Sequence, residues 1–238
     1  MHYGLALKIP VQCSIAAVAG PGHHEGMTTE NPGAGELNLP QQFLLLATND
    51  KDGEPDVPPS VLKAGLAGAI LAELDLLGAV RLDGKYVRAV GEPPPSDFRH
   101  QWELIHDKSR PHSARRWVAM LESRAELHRV YEGMAALGVV SHVGEKHLGV
   151  FRTTRYPEKD HAPEAALLAR MEGILNGSAS DARTTALIGL LHATGLMDRL
   201  FPGAGPGVLR ELTGDHWPSR AVRDELRMIR LAEAEAAT

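Results

Sequence analysis

Basic side chains are the residues whose grouping in this chain most suggests chemistry. Arg115, Arg116, Arg124 and Arg129 fall within two consecutive helical stretches, near Lys108 and Arg110. Arg220, Arg223, Arg227 and Arg230 recur along the last helical stretch, beside Val222, Leu226 and Ile229. Guanidinium and ammonium groups that converge on one spot hold phosphate through charge-assisted hydrogen bonds. A basic arc flanking an apolar one is also the pattern of a helix lying in a membrane interface. A solvated surface helix of a bundle shows the same pattern, and Asp224 and Glu225 dilute the charge. The solvated face is the reading these residues favour.

Other chemistries find less support. The 12 histidines invite a metal. His100 and His106 stand six apart, and His142 and His147 flank an expected turn, so neither pair presents two ligands from one helix face. His192 sits among Leu190, Leu191 and Leu196, the setting of a core histidine. Asn49 to Gly53 faintly resembles a calcium loop, but Pro55 occupies the sharp-turn position and no closing Glu follows. No metal site is expected. Gly203-Ala204-Gly205-Pro206-Gly207 follows a helix, and Pro206 removes a donor that a phosphate cradle would use. Ser178, Ser180 and Asp181 read as loop and cap residues. With no metalloprotease, phosphate-loop, nucleophile-elbow or kinase motif, the residues give no case for an enzyme and no cofactor is expected.

Composition narrows the partners. The 238 residues are 43% hydrophobic and 23% charged, enough for one good core. A net charge of −5 and a pI of about 6.2 leave no global positive field for nucleic acid or an anionic bilayer, so any anion site is local. Aromatics at 5% argue against base-stacking platforms. The single Cys13 excludes an internal disulfide and a thiolate zinc site, and a cytoplasmic setting fits best. The apolar stretch within Met1–Gly20 is broken by Pro10 and Gln12 and does not read as a secretory signal. Val61–Val80 carries Lys63, Glu73 and Asp75, so it reads as a core helix and not as a membrane span.

The elements that must position these residues are mostly helices. Residues 1–38, crowded with Gly and Pro from Gly20 onward, are expected to be a disordered tail, with Met27 a candidate true start. Order is expected from Leu39-Pro40, with a short helix through Leu46 and a turn at Asn49–Gly53. Ser60 is expected to cap a helix to about Leu77, slim over Ala64, Gly65, Ala67, Gly68 and Ala69 so that another helix approaches closely. A hairpin follows around Asp83-Gly84. Further helices are expected near 97–107, 113–122 and 124–137, with a second hairpin pairing 139–143 with 147–151 around Gly144-Glu145. Helices then follow at 163–175, from an Asp181 cap as far as Leu200, in a short piece after the loop 202–207, and from Ser219 to about Ala232. The fold class is mainly α: a single-domain helical bundle over 39–238 with two short β-hairpins.

The order of the pieces resembles the Golgi phosphoprotein 3 family, in its bacterial branch. Leu44-Leu45-Leu46 and the run Ala64 to Leu74 look like its opening, followed by a short hairpin. Ser109-Arg110-Pro111 ahead of Trp117-Val118, Leu137-Gly138-Val139, Phe151 to Pro157, and Asp181 to Leu187 leading into Leu191-His192-Ala193 follow in the family's order. The resemblance implies a four-helix core ringed by further helices, and a peripheral membrane protein that binds phosphoinositide, phosphatidylinositol 4-phosphate in eukaryotic members. The family pocket uses a Trp and an Arg around the slim helix and two Arg three apart on a later helix. Here Pro58 stands at the Trp position, Ala67 at the helix Arg, Arg124 matches one of the later pair, and Leu127 replaces the other. Lys63, one turn before Ala67, and His128, one turn after Arg124, could rebuild a weaker anion site. The expected headgroup-binding residues are therefore Lys63, Arg124, His128 and Arg129, serving an anionic phospholipid on the inner face of a membrane. The alternative is a soluble interaction module that has lost lipid binding, with hairpin 139–151 as a surface for a second copy or another partner.

Overall fold

A computed structural model describes residues 37–147 and 151–237. Its helices are α1 (Leu39–Leu46), α2 (Pro59–Leu76), α3 (Arg99–His106), α4 (Ala114–Leu121), α5 (Arg124–Ala136), α6 (Ala162–Leu175), α7 (Ala182–Thr194), α8 (Met197–Leu200), α9 (Pro206–Thr213) and α10 (Trp217–Ala236). Its strands are β1 (Val80–Asp83), β2 (Tyr86–Ala89), β3 (Val143–His147) and β4 (Phe151–Arg155), paired as two antiparallel hairpins. All lie in one compact unit bounded by Ala34 and Thr238. Among the described residues, no helix is long and apolar enough to cross a membrane.

The hub is α2, which packs against α1, α4, α7 and α10. Every residue from Ala64 to Leu74 is buried, as in a helix surrounded on all sides. Its slimness is used. A Cβ on Gly65 would overlap the Phe43 ring, and one on Gly68 would overlap Val222 of α10. Glu73 is the charged residue in this buried run, 5% exposed, and Arg183 of α7 pairs with it.

Several elements depart from the sequence reading. Order begins before Leu39: Leu37 is 4% exposed, and Asn38 caps α1 through a capping box with Gln41. Of the tail expected over 1–38, residues 1–36 lie outside the described residues, as does Met27. Ser60 does not cap α2. The cap position falls on Pro58, with no side-chain cap, and Pro59 occupies the first turn, where its missing N–H costs nothing. The helix expected to run from Asp181 to Leu200 breaks at Gly195, whose φ of +81° is the left-handed stop of α7, and resumes as α8. Pro206 opens α9 and does not belong to the preceding loop.

The largest correction concerns the second hairpin. Val143 pairs with Arg155 and His147 with Phe151, so the strand runs on through Gly144-Glu145 where the turn was expected, and residues 148–150 lie outside the described residues. The same register continues outward: Ser141 N–H donates to Pro157 O at 2.8 Å, and Val140 bridges Glu158. Residues 152–157 belong to the returning arm. The expected docking surface at 139–151 thus takes in the outgoing arm and, of the return strand, Phe151 alone.

Candidate functional site

Of the four residues expected to hold a headgroup, two already have side-chain partners and two differ in exposure. Lys63 is half-buried in the second turn of α2, close enough to Glu122 to favour its charged form. Glu122 ends α4, and its carboxyl is nonetheless raised above the usual range by burial and by the neighbouring Glu225 of α10. Lys63 therefore has the Glu122 carboxyl for a neighbour. Arg124 begins α5 two residues later, is exposed, and makes no hydrogen bond or ion pair among the described residues. Its cation is available.

His128 and Arg129 are committed elsewhere. The Tyr156 hydroxyl donates to Glu132 Oε1 at 2.9 Å and lies 2.5 Å from His128 Nδ1. His142 Nδ1 stands 2.7 Å from the same Glu132 oxygen. Tyr156 is fixed in turn by stacking on Tyr131 at 4.3 Å, whose hydroxyl meets Thr48 Oγ1 at 2.6 Å. Arg129 turns toward α3, donating to Glu126 at 2.5 and 3.0 Å and to the Asp97 carbonyl at 2.8 Å, over the Phe98 ring. Two of the positions aligned with the family pocket are apolar and packed, while Pro58 and Arg124 are exposed. Ala67 is 0% exposed, and Leu127 packs against the core.

Basic side chains do gather elsewhere. A groove of about 590 Å³ lies between the β1–β2 hairpin, the start of α4 and α10. Lys85, Arg115, Arg220 and Arg227 line it, with Asp224 the acidic residue among them. Met228 and Leu231 line the same groove while 46% and 49% exposed, and Trp217 and Leu82 add apolar wall. Amphipathic α10 makes this arrangement: Ala221, Val222 and Leu226 face the core, leaving the arginines one turn apart on the outside.

The cations differ in freedom. Arg115 Nη1 donates to Glu225 Oε2 at 2.7 Å, and Arg220 Nη1 donates to the Gly214 carbonyl at 3.0 Å. Lys85 sits 5.3 Å from the centre of the Tyr86 ring. Arg227 makes no ion pair among the described residues and is exposed. The arrangement can accept an anion from solvent and set apolar side chains beside it. Sequence reasoning noted the α10 arginines and favoured a plain solvated face. What it missed was Lys85, and that the first hairpin and α4 bring Lys85 and Arg115 opposite them.

A mainly helical bundle around a buried slim helix, with two antiparallel hairpins, defines an α-helical fold of the kind the residue pattern resembled. A sequence model of Golgi phosphoprotein 3 (GPP34) matches residues 39–229, and the chain belongs to that family.

Proposed function

We propose that the protein is a non-enzymatic, peripheral membrane-binding member of its family that recognises anionic phospholipid headgroups, such as phosphoinositides, on a cytoplasmic membrane face. The observation that carries this reading is the groove along α10, about 590 Å³ in volume, where four cations line the wall beside exposed Met228 and Leu231. Cations at a headgroup and apolar side chains at the acyl boundary act together, which compensates for a net charge of −5. Family membership supports the same reading. The expected pocket supports it less, since Lys63 lies near the Glu122 carboxyl while His128 and Arg129 already have partners.

Flotation with vesicles tests this. Wild-type protein is expected to float at low salt with phosphatidylcholine vesicles containing phosphatidylinositol 4-phosphate or phosphatidylserine, and not with phosphatidylcholine alone. Arg220→Glu combined with Arg227→Glu is expected to abolish flotation, while Arg129→Ala leaves it nearly unchanged. Wild-type protein that ignores anionic vesicles at low salt overturns the reading and leaves the soluble interaction module.

A further inference from the structure

A second cluster rests on residues separate from the groove. The turn at 49–53 is docked on the returning arm of the second hairpin: the Tyr156 N–H donates to the Gly53 carbonyl at 3.3 Å, and the Glu158 N–H donates to the Asp50 carbonyl at 2.9 Å. Gly53 has a φ of +68°, and a Cβ there would run into the backbone of Tyr156 and Pro157. This close approach sets Asp50 beside Glu158. The chain then enters α6, with His161 at the cap position and Glu164 in the first turn. One ligand atom each from Asp50, Glu158, His161 and Glu164 lies within 4.8 Å of the others.

The cluster is more than exposed acids lying near one another. Glu164 is 6% exposed, and its Oε2 is buried without a hydrogen-bond partner. The Glu158 side chain is 9% exposed, and its Oε1 is buried and unpartnered likewise. The other Glu158 oxygen meets His161 Nδ1 at 2.8 Å. Ionised carboxylates accept hydrogen bonds and donate none, so three that converge in a buried setting need a shared proton or a cation between them.

We propose that Asp50, Glu158, His161 and Glu164 form a binding site for a divalent metal ion of the Zn²⁺ or Mn²⁺ class. Three carboxylate oxygens with one imidazole suit a borderline first-row ion, whereas Ca²⁺ and Mg²⁺ take oxygen sets. Ligands on bonds of about 2.1 Å stand about 3.4 Å apart around a tetrahedral ion, so the present cluster closes on an ion by drawing in about 1 Å. The ligands come from two segments more than a hundred residues apart in sequence, and the ion clips the 49–53 turn to the start of α6. The expectation of no metal arose from testing only local spacings. Glu158, His161 and Glu164 stand three apart, and Asp50 joins them only through the fold.

The test uses full-length protein stripped with a chelator and titrated calorimetrically with ZnCl₂ or MnCl₂ alone. His2, His23 and His24 offer zinc other ligands, so the measure is the difference between wild type and variant. Wild type is expected to take up one more equivalent than the Asp50→Asn, Glu164→Gln double variant, or to bind it at least about tenfold more tightly. Its melting temperature is expected to rise with Mn²⁺ while the double variant's does not, because an ion bound only by the folded state stabilises it. His161→Gln serves the same comparison should the double variant fail to fold. Equal uptake and equal thermal shifts in wild type and folded variants overturn the proposal. So does a wild type that binds neither ion, or that binds Ca²⁺ or Mg²⁺ more tightly than both.

Discussion

Arg183 closes a fork on Glu73 across 110 residues, Nη1 donating to Oε2 at 2.6 Å and Nη2 to Oε1 at 3.1 Å. Oε2 also accepts the Leu39 N–H at 2.8 Å, so one buried carboxylate ties α2, α7 and the first turn of α1 together. Two parallel charge-assisted bonds fix the relative rotation of the helices as well as their contact.

Removing one partner leaves the other charge buried and uncompensated. Arg183→Leu is expected to cost about 3–5 kcal/mol in urea unfolding. The exposed pair of Arg88 with Asp83 is the control, its side chains 47% and 54% exposed. Arg88→Ala is expected to cost no more than about 1 kcal/mol. Equal losses in the two variants would refute the distinction.

The close approach of α10 to α2 depends on Gly68. Gly68→Ala drives a methyl into Val222, and the overlap is expected to cost about 1–3 kcal/mol, net of the helix propensity that alanine gains. Adding Val222→Ala makes room, so the double variant is expected to be more stable than the sum of the single losses. Strict additivity in thermal unfolding would show that the two do not touch.

His216 gives stability an acid limb. Burial first, then Arg220 and Arg223, push its pKa down from 6.5 to about 4, and its Nδ1 lies 2.5 Å from Ser219 Oγ. Between pH 6.5 and 4 the unfolded chain binds the proton and the folded one does not, so stability rises with pH across that window. Its contribution is complete above pH 6.5 and is lost as pH falls toward 4, on the order of 3 kcal/mol. His216→Gln is expected to flatten this part of the stability profile, and an unchanged profile would assign the acid limb to other groups.

Glu225 restrains the cation beside it, holding Arg115 and adding negative charge near Glu122. Glu225→Gln removes that charge with little change of shape. Recruitment to anionic vesicles is expected to strengthen and to become more sensitive to salt. Weaker recruitment by a folded variant would mean that Arg115 acts only when held in place by Glu225.

Helix identity was legible wherever a local signal decided it. Ser113, Ser123 and Asp181 cap the helices they precede, each accepting from the backbone N–H three residues on. The slim run in α2 announced a close neighbour, though not which one. The second hairpin was misplaced because Gly144 looked like turn chemistry, and its register is set instead by pairing that extends out to Glu158. Ser60 was given a cap that Pro58-Pro59 took over, since a proline pair fixes the backbone without side-chain help. The sites were hidden for a different reason. Lys63 with Glu122, Arg115 with Glu225, and Asp50 with Glu164 are neighbours only after folding, and no local spacing carries them.

The sealed interior at Ala67 has a consequence for where this fold can take on a ligand. A guanidinium at that position requires space that this chain gives to neighbouring side chains. Introducing the charge by a single substitution would force it into a fully packed core, and the molecule would lose its fold before it gained a ligand. Affinity for anions is instead open to change on the outside of the bundle, where new cations can be added without disturbing what lies beneath.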